Sequence, residues 1–325
     1  MICLGIESTA HTFGVGILDE EVVLANVTSM YKPDSGGIHP RKAAEYHTKK
    51  CGEIMEKALN EADIEKEEID LVAFSQGPGM PPCLRTGAVF ARSLALSLDV
   101  PLVGVNHCIA HIEIGRMKTG TEDPITLYVS GGNTQIIGYS EGKYRVFGEV
   151  LDTAIGNALD KFAREIGIGH PGGPEIERLA SKGEEYIELP YTIKGMDLSF
   201  SGLATEAERL VKEGEEKEDV CYSLQETMFA MLTEAVERAM AHADKDEVLL
   251  TGGVAANRRL QEMLGTMCEE RDAVFSKVPQ KLAGDNGAMI AWAGIIKYRS
   301  SGGDEVAETG FIQNWRTDQV EANWR

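Results

Sequence analysis

Two histidines four residues apart, His107 and His111, are the side chains whose type and spacing most directly suggest chemistry. In a helix of about 3.6 residues per turn, residues with this separation project from one face, one turn apart. Two imidazoles in that arrangement can bind one metal ion. The pair could equally lie on a helix face and bind nothing, so the spacing alone leaves both interpretations open.

A carboxylate far along the chain could complete such a site. Asp285 lies in the segment 284–287, at the start of an apolar helix predicted to end at Tyr298. Two histidines and one carboxylate form a frequent catalytic metal set. An aspartate at a helix start is also an ordinary N-cap, so this alternative stays open. Tyr128 could supply a phenolate, although a tyrosine in a strand more often packs in the core.

The same histidine spacing occurs in helical zinc metallopeptidases, which makes a peptidase the first alternative function. Those enzymes need a glutamate directly after the first histidine as general base. Cys108 occupies that position here, and Glu113 lies two residues beyond His111, about 200° around the helix. The chain therefore has the spacing of a metallopeptidase without its base.

Glycine pairs mark two turns that could bind an anion. Residues 128–134 (YVSGGNT) join two predicted strands, and residues 251–257 (TGGVAAN) lead into a helix predicted at 255–269. Glycine lets backbone N–H groups approach an anion, and a helix N-terminus stabilises phosphate. With the small polar loop at 7–12, these turns predict a nucleotide-binding cleft. Asp160 and Glu177 could accept hydrogen bonds from ribose hydroxyls, although surface carboxylates are common.

The elements that must position these residues follow one plan twice. Apolar segments at 2–6, 14–18 and 22–27 predict an antiparallel meander, followed by alternating helices and strands up to the histidine helix. Three further segments, at 125–130, 135–139 and 144–150, begin the second round. The pattern predicts an α/β fold with two mixed sheets flanked by helices and a ligand cleft between paired domains.

The polar linker at 118–124 is the expected domain boundary. It gives an N-terminal domain of residues 1–120 and a C-terminal domain of residues 121–325, with a helical insertion at about 153–243. The last helix, at about 285–299, could pack back on the first domain.

Composition restricts the function further. The net charge of −20 predicts repulsion from nucleic acid over most of the surface, so a polyanionic partner would need a local basic patch or other subunits. Candidates for such a patch are Arg41, Lys42, Lys49, Lys50, Arg85 and Arg92. The six scattered cysteines predict free thiols in a reducing cytoplasm. No signal peptide or membrane span is apparent, so a cytoplasmic protein is expected.

Ten motifs occur together and in order along the chain: GIESTAHTFGVGI, SGGIHPRKAAEYH, QGPGMPPCLRTG, NHCIAHIEIGR, LYVSGGNTQ, GNALDKFARE, HPGGPEIE, SFSGL, TGGVAANRRL and AGDNGAMIA. With them the chain resembles the TsaD-like tRNA threonylcarbamoyladenosine synthase family, formerly called O-sialoglycoprotein endopeptidases. The residues within these motifs resemble those of the archaeal and eukaryotic branch of the family, the catalytic subunit of the KEOPS complex.

This resemblance implies two actin-like domains of the ASKHA, ribonuclease H-like class with a nucleotide cleft between them. It also implies an acyltransferase that moves threonylcarbamoyl from threonylcarbamoyl-adenylate to N6 of adenosine 37 in tRNAs reading ANN codons, releasing AMP and forming t6A. A metallopeptidase, or a non-catalytic subunit switched by ATP, remains as an alternative.

The family pattern further implies the site residues and partners. The metal ligands would be His107, His111, Tyr128 and Asp285, with catalytic roles for His107, His111 and Asp285, and with Fe²⁺ favoured over zinc. An adenine nucleotide, either the adenylate or ATP, would be held by Tyr128, Val129, Ser130, Gly131, Gly132, Asp160, Gly173, Glu177 and Asn257. The implied partners are tRNA and the KEOPS subunits: a small atypical protein kinase, a dimerising subunit and a kinase-associated regulatory subunit. No membrane partner is implied.

Overall fold

A computed structural model describes residues 1–33, 37–169 and 171–325 of the protein. Three residues of the motifs above, Ser35, Gly36 and His170, lie outside the described residues.

The strands are β1 Ile2–Glu7, β2 Thr12–Asp19, β3 Val22–Met30, β4 Leu71–Gly77, β5 Leu102–Asn106, β6 Ile125–Val129, β7 Thr134–Ser140, β8 Lys143–Glu149, β9 Ile193–Lys194, β10 Asp197–Leu198, β11 Glu247–Thr251 and β12 Val274–Lys277. The helices are α1 Pro40–Ala62, α2 Pro81–Leu98, α3 His107–Thr119, α4 Ile155–Glu165, α5 Gly172–Ala180, α6 Ser201–Glu213, α7 Lys217–Ala243, α8 Arg258–Glu270, α9 Gln280–Ala283 and α10 Gly287–Ser301. Short 3₁₀ turns occur at Lys66–Glu68, Gly253–Ala256 and Thr317–Gln319.

The chain divides into two compact units. Unit 1 contains Met1–Lys118, Glu141–Tyr144 and Asp285–Arg325, and unit 2 contains Thr119–Ser140 and Arg145–Gly284. The boundary predicted from the sequence was 120/121, and only the last helix was expected to pack back on the first domain. In the structure, the tail that follows α10 also belongs to unit 1.

Unit 1 is built on a five-stranded mixed sheet in the order β3-β2-β1-β4-β5. The first three strands form the antiparallel meander, whereas β4 pairs parallel to both β1 and β5. Buried residues of α1 and α2, such as Ile54 and Ala91, share one hydrophobic core with sheet residues such as Phe74. Because parallel strands end at the same sheet edge, Glu7 at the end of β1 and Asn106 at the end of β5 lie at that edge.

Helix α10 lies unusually close to the backbone of this sheet. A Cβ added to Gly16 would lie 2.1 Å from the backbone nitrogen of Ala288, and one added to Gly5 would lie 2.2 Å from that of Ala291. Real Cβ atoms do not make such contacts, so only glycine permits this approach. The close contact with the sheet of unit 1 therefore fixes the distance of α10 from the sheet and its orientation.

The second mixed sheet, in the order β12-β11-β6-β7-β8, belongs to unit 2 except for the first two residues of β8, Lys143 and Tyr144, which are assigned to unit 1. β6 pairs antiparallel with β7 and parallel with β11, which pairs parallel with β12. Its core combines β6 and β11 with buried faces of the long α7, α4 and α8. Two mixed five-stranded sheets flanked by helices confirm the predicted actin-like α/β architecture.

Some elements differ from the sequence-based expectation. The helix predicted at 255–269 begins at Arg258, after the 3₁₀ turn and an Asn257 N-cap whose side chain accepts hydrogen bonds from the next turn. The edge strand β12 was not predicted, nor was the β9–β10 hairpin. No helix in the described part of the chain is both long and apolar enough to cross a membrane.

Candidate functional site

The start of α3 places the two histidines. β5 ends at Asn106 and α3 begins at the next residue, His107, without a loop between them. The Asn106 Oδ1 atom accepts hydrogen bonds from the backbone N–H groups of Cys108, at 3.0 Å, and Ile109, at 3.2 Å. Its Nδ2 atom donates to the carbonyl oxygen of Trp315 at 3.0 Å. Asn106 thus caps the helix and ties its first turn to the C-terminal segment of unit 1.

The imidazoles of His107 and His111 converge on one carboxylate oxygen. The Oδ1 atom of Asp285 lies 3.4 Å from Nε2 of His107 and 3.3 Å from Nε2 of His111. The ring centroids are 4.8 Å apart and the ring planes are nearly perpendicular, at 83°. Both histidines are buried, and the ligand atoms of the three residues all lie within 4.8 Å of one another. The donor set fits a first-row transition metal or zinc.

Asp285 is not the N-cap of α10, although the sequence left that interpretation open. Asn286 is the N-cap, and its side chain accepts a hydrogen bond from the backbone nitrogen of Met289 at 3.0 Å. The next residue, Gly287, lies so close to β2 that a Cβ would be 2.0 Å from the backbone nitrogen of Gly16. With the cap provided by its neighbour, the Asp285 carboxylate is directed to the imidazoles.

The electrostatics of this cluster favour an ionised Asp285 and a neutral His111. Burial opposes ionisation of Asp285, but the charges and hydrogen bonds of His107 and His111 outweigh it and hold the pKa of Asp285 well below its usual range. Burial lowers the pKa of His111 below its ordinary value. A deprotonated carboxylate and a neutral imidazole are the forms that bind metal.

Glu7 contacts the site and was not recognised from the sequence. This carboxylate is fully buried at the end of β1, and its Oε2 atom lies 2.9 Å from Nδ1 of His107. Its Oε1 atom accepts hydrogen bonds from the backbone nitrogen of Thr9, at 2.7 Å, and from the Thr9 hydroxyl, at 2.5 Å. The sequence assigned residues 7–12 to a polar loop for phosphate. Only the parallel order β1-β4-β5 could have indicated that the ends of β1 and β5 meet.

The two glycine-pair turns of unit 2 lie side by side. The register of β6 and β11 pairs Tyr128 with Thr251, so the carboxyl ends of both strands are adjacent. A Cβ on Gly252, whose φ is +99°, would lie 2.1 Å from the carbonyl oxygen of Val129. In the other turn, the backbone nitrogen of Ser130 donates to the Asn133 carbonyl oxygen at 2.8 Å. Between these two residues, Gly131 and Gly132 are exposed to solvent.

The remaining predicted nucleotide ligands form two groups in unit 2. Asp160 Oδ1 accepts from the backbone nitrogen of Gly172 at 2.7 Å, next to Gly173 at the start of α5. Glu177 Oε1 accepts from the backbone nitrogen of Arg258 at 2.9 Å. That contact places Glu177 beside the N-cap Asn257, whose Nδ2 atom donates to Gln225 at 2.9 Å.

The structure brings together three of the four predicted metal ligands. His107, His111 and Asp285 meet in unit 1, whereas Tyr128, predicted as a fourth metal ligand, is fully buried in β6 of unit 2. Its ligand role remains a prediction. Asp160, Glu177 and Asn257 each hold backbone or side-chain groups of unit 2, so any contact with ribose would add to a structural role.

Comparison with known proteins gives consistent matches. Residues 22–292 match the family model TsaD, tRNA N6-adenosine threonylcarbamoyltransferase. A tRNA N6-adenosine threonylcarbamoyltransferase from Thermococcus sibiricus is 57% identical, with 100% of both chains covered. A probable bifunctional tRNA threonylcarbamoyladenosine biosynthesis protein from Methanothermobacter thermautotrophicus is 57% identical across 100% of this chain and 61% of its own length. The chain thus spans about three fifths of the length of such bifunctional relatives.

A solved structure supports the fold independently of close sequence similarity. HypF from T. kodakarensis superimposes with a TM-score of 0.66 at 15% identity, covering 90% of this chain and 47% of that one. At this level of identity the likeness concerns the fold alone.

Proposed function

Because the chain belongs to the TsaD family of tRNA N6-adenosine threonylcarbamoyltransferases, we propose that it transfers threonylcarbamoyl from threonylcarbamoyl-adenylate to N6 of adenosine 37 in tRNAs reading ANN codons. The N6 amine forms a bond to the carbamoyl carbon and loses a proton. The bond from that carbon to the phosphate oxygen breaks, and AMP leaves. The donor is already activated as a mixed anhydride, so the protein must mainly orient the two reactants and offset developing charge.

The convergence of His107, His111 and Asp285 is the observation that carries this proposal beyond family membership. We propose these residues, with Tyr128, as the ligands of one divalent metal, Fe²⁺ in preference to Zn²⁺. A metal bound there would supply Lewis-acid polarisation and a template for the donor's oxygens. A donor set of mixed nitrogen and oxygen atoms accepts either ion, so the preference for iron follows from the family resemblance.

We propose that the adenylate part of the donor is bound by unit 2. The adjacent glycine-pair turns offer backbone N–H groups for a phosphate, through Ser130, Gly131 and Gly132 and through the 3₁₀ turn after Gly252. Asp160 and Glu177 are proposed to accept hydrogen bonds from ribose. Gly173, at the start of α5 beside the contact of Asp160 with Gly172, is proposed to lie against the same nucleotide.

We also propose that the protein acts with partner subunits in the cytoplasm. The net charge of −20 disfavours tRNA binding by this chain alone. The partners proposed from the resemblance are the KEOPS subunits: a small atypical protein kinase, a dimerising subunit and a kinase-associated regulatory subunit. The relatives named bifunctional tRNA biosynthesis proteins are consistent with a partner activity in the same pathway.

Reconstitution tests the proposal. The chain is combined with partner subunits, threonine, bicarbonate, ATP and tRNA, and the digested tRNA is analysed for t6A by mass spectrometry. His107→Ala and Asp285→Ala should each lower the rate more than about 100-fold, since a metal's stabilisation of transition-state charge amounts to several kcal/mol. His242→Ala, a change at an exposed histidine of α7, serves as the matched control and should remain active.

Full activity of His107→Ala in metal-free protein would contradict the metal-assisted mechanism. A metallopeptidase is disfavoured because Cys108 stands where the general base is required. Cleavage of a protein substrate by the metal-loaded chain, lost in His111→Ala, would reverse that judgement. Nucleotide and partner binding without any t6A formation would instead support a non-catalytic regulatory subunit.

A further inference from the structure

We propose that Glu7 is a positioning residue that fixes the tautomer of His107 so that the Nε2 lone pair faces the metal. The inference rests on the proposed function only in that it requires the metal centre. It concerns a residue about 100 positions from the histidine helix that no sequence motif connects with it.

The geometry determines which nitrogen of His107 carries the proton. An ionised carboxylate only accepts hydrogen bonds, and Glu7 Oε2 lies 2.9 Å from His107 Nδ1. Nδ1 is the donor to an ionised Glu7, and the Thr9 hydroxyl, 3.4 Å from the same nitrogen, is already engaged with Glu7 Oε1. In the neutral imidazole this leaves Nε2 without a proton, and Nε2 is the atom directed to Asp285. Metal-binding histidines commonly donate their second ring N–H to a carboxylate in this manner, which fixes the ring and increases its basicity.

Thr9 fixes the orientation of the Glu7 carboxylate. Both its backbone N–H and its hydroxyl donate to Oε1, which leaves Oε2 for His107. The carboxylate is fully buried, and a buried charge must be paired. A divalent ion bound by His107, His111 and Asp285 would balance the two negative charges of Glu7 and Asp285. The burial of Glu7 thus agrees with a cation in the neighbouring cluster.

The exchange Glu7→Gln separates this role from simple packing, because it preserves shape and volume. The two donors of Thr9 require an oxygen at the Oε1 position, so the new amide NH₂ group takes the position of Oε2. There it donates to Nδ1 of His107 and favours the tautomer with a proton on Nε2. That proton points into the metal site, so Zn²⁺ affinity should fall about 10- to 100-fold, the usual effect of losing such a partner.

Glu113→Gln is the matched control. Glu113 is also buried and lies on α3 itself, but it accepts hydrogen bonds from Trp324 at 2.8 Å, from Arg116 at 2.7 Å and from the hydroxyl of Tyr144. Zn²⁺ binding is measured by competition with a chelating dye, and thermal unfolding of the metal-free proteins is recorded alongside. Wild-type affinity in Glu7→Gln, or an equal loss in Glu113→Gln, would overturn the proposal.

A second measurement uses the wild-type chain and so does not depend on a variant that folds. Long-range ¹H–¹⁵N spectra of histidine-labelled protein loaded with Zn²⁺ should show a proton on Nδ1 of His107 and zinc on Nε2. Zinc on Nδ1, or an Nδ1 without a proton, would refute the assignment. Neither measurement uses tRNA, so a failure of t6A synthesis would contradict the proposed function while leaving this test unaffected.

Discussion

At the residue scale, Asp285 and Asn286 divide two tasks that their sequence alone could not separate. Both residue types are good N-caps, and either could have capped α10. In the structure Asn286 caps the helix and Asp285 contacts both histidines. The histidine pair could be predicted because its spacing reflects a local helix. The contacts of Glu7 and Asp285 could not, because they depend on strand order and helix packing over separations of about 100 residues or more.

The N-cap role of Asn286 can be tested by measuring stability. Asn286→Ala should lower the free energy of unfolding by about 1 kcal/mol, because the backbone nitrogen of Met289 loses its acceptor. Asn286→Ser retains a neutral side-chain acceptor and should lose less stability than the alanine variant. Urea denaturation followed by circular dichroism measures both. Equal loss in the two variants would show that the amide has a role other than capping.

Tyr128 permits a separate test of the proposed fourth ligand. Tyr128→Phe removes only the hydroxyl from a fully buried ring of β6, so the packing of the ring should persist. If the phenolate binds the metal, affinity for Zn²⁺ should fall at least about tenfold while the melting temperature changes little. Unchanged affinity would leave the tyrosine with a packing role, which is the commoner one for a tyrosine in a strand.

At the scale of elements, close packing of α10 on the sheet of unit 1 is the feature that the sequence conceals. The apolar pattern predicts this helix, but a pattern does not report how near two backbones approach. Short elements were missed for a related reason. The edge strand Val274–Lys277 has four residues, with little burial and a polar end. Its strand character comes from pairing with β11 rather than from its own sequence.

Gly16→Ala tests the packing of α10. The added methyl would lie 2.1 Å from the backbone nitrogen of Ala288, so either α10 or β2 must move. We expect a loss of about 1–3 kcal/mol in unfolding free energy, with weaker Zn²⁺ binding because Asp285 precedes that helix. Gly52→Ala is the control. Gly52 is exposed in α1 with open space at its Cβ position, so alanine should stabilise by up to about 1 kcal/mol. Equal effects of the two changes in calorimetry would contradict the packing argument.

At the scale of the whole molecule, the α/β class and the repeated meander could be predicted because strand and helix periodicities extend over most of the chain. The contacts of individual surface cations, including the residues considered for a basic patch, could not be predicted in this way. Lys50 pairs with Glu53 at 2.7 Å, Arg92 donates to the Ala307 carbonyl at 3.3 Å, and Arg85 lies over the Phe311 ring. These three cations have partners in unit 1, but an exposed pair such as Lys50–Glu53 is weak, so the case against a tRNA surface made by this chain alone rests on its net charge of −20.

This distribution of charge predicts how tRNA binding responds to salt. The isolated chain should bind tRNA weakly, with a shallow dependence of log K on log salt concentration, because few cations replace counterions. Adding the partner subunits should both tighten binding and steepen the slope. Fluorescence anisotropy over about 50–200 mM NaCl measures this. Equal affinity and slope with and without partners would show that this chain supplies the phosphate contacts itself.

The close packing of α10 against the strand backbone of unit 1 has a consequence for which ions the proposed metal site selects. Asp285 is joined to a helix whose first turn touches the strand backbone, and the histidines begin at a capped helix that follows its strand without a loop. We expect donors on such closely packed backbone to adapt little to ions that need a different set of ligands. Calcium, which prefers about six to eight oxygens at about 2.3–2.6 Å, should bind poorly because two of the three donors are imidazole nitrogens. Zn²⁺, which binds histidine nitrogen at about 2.0–2.1 Å, and Fe²⁺ should be preferred over calcium.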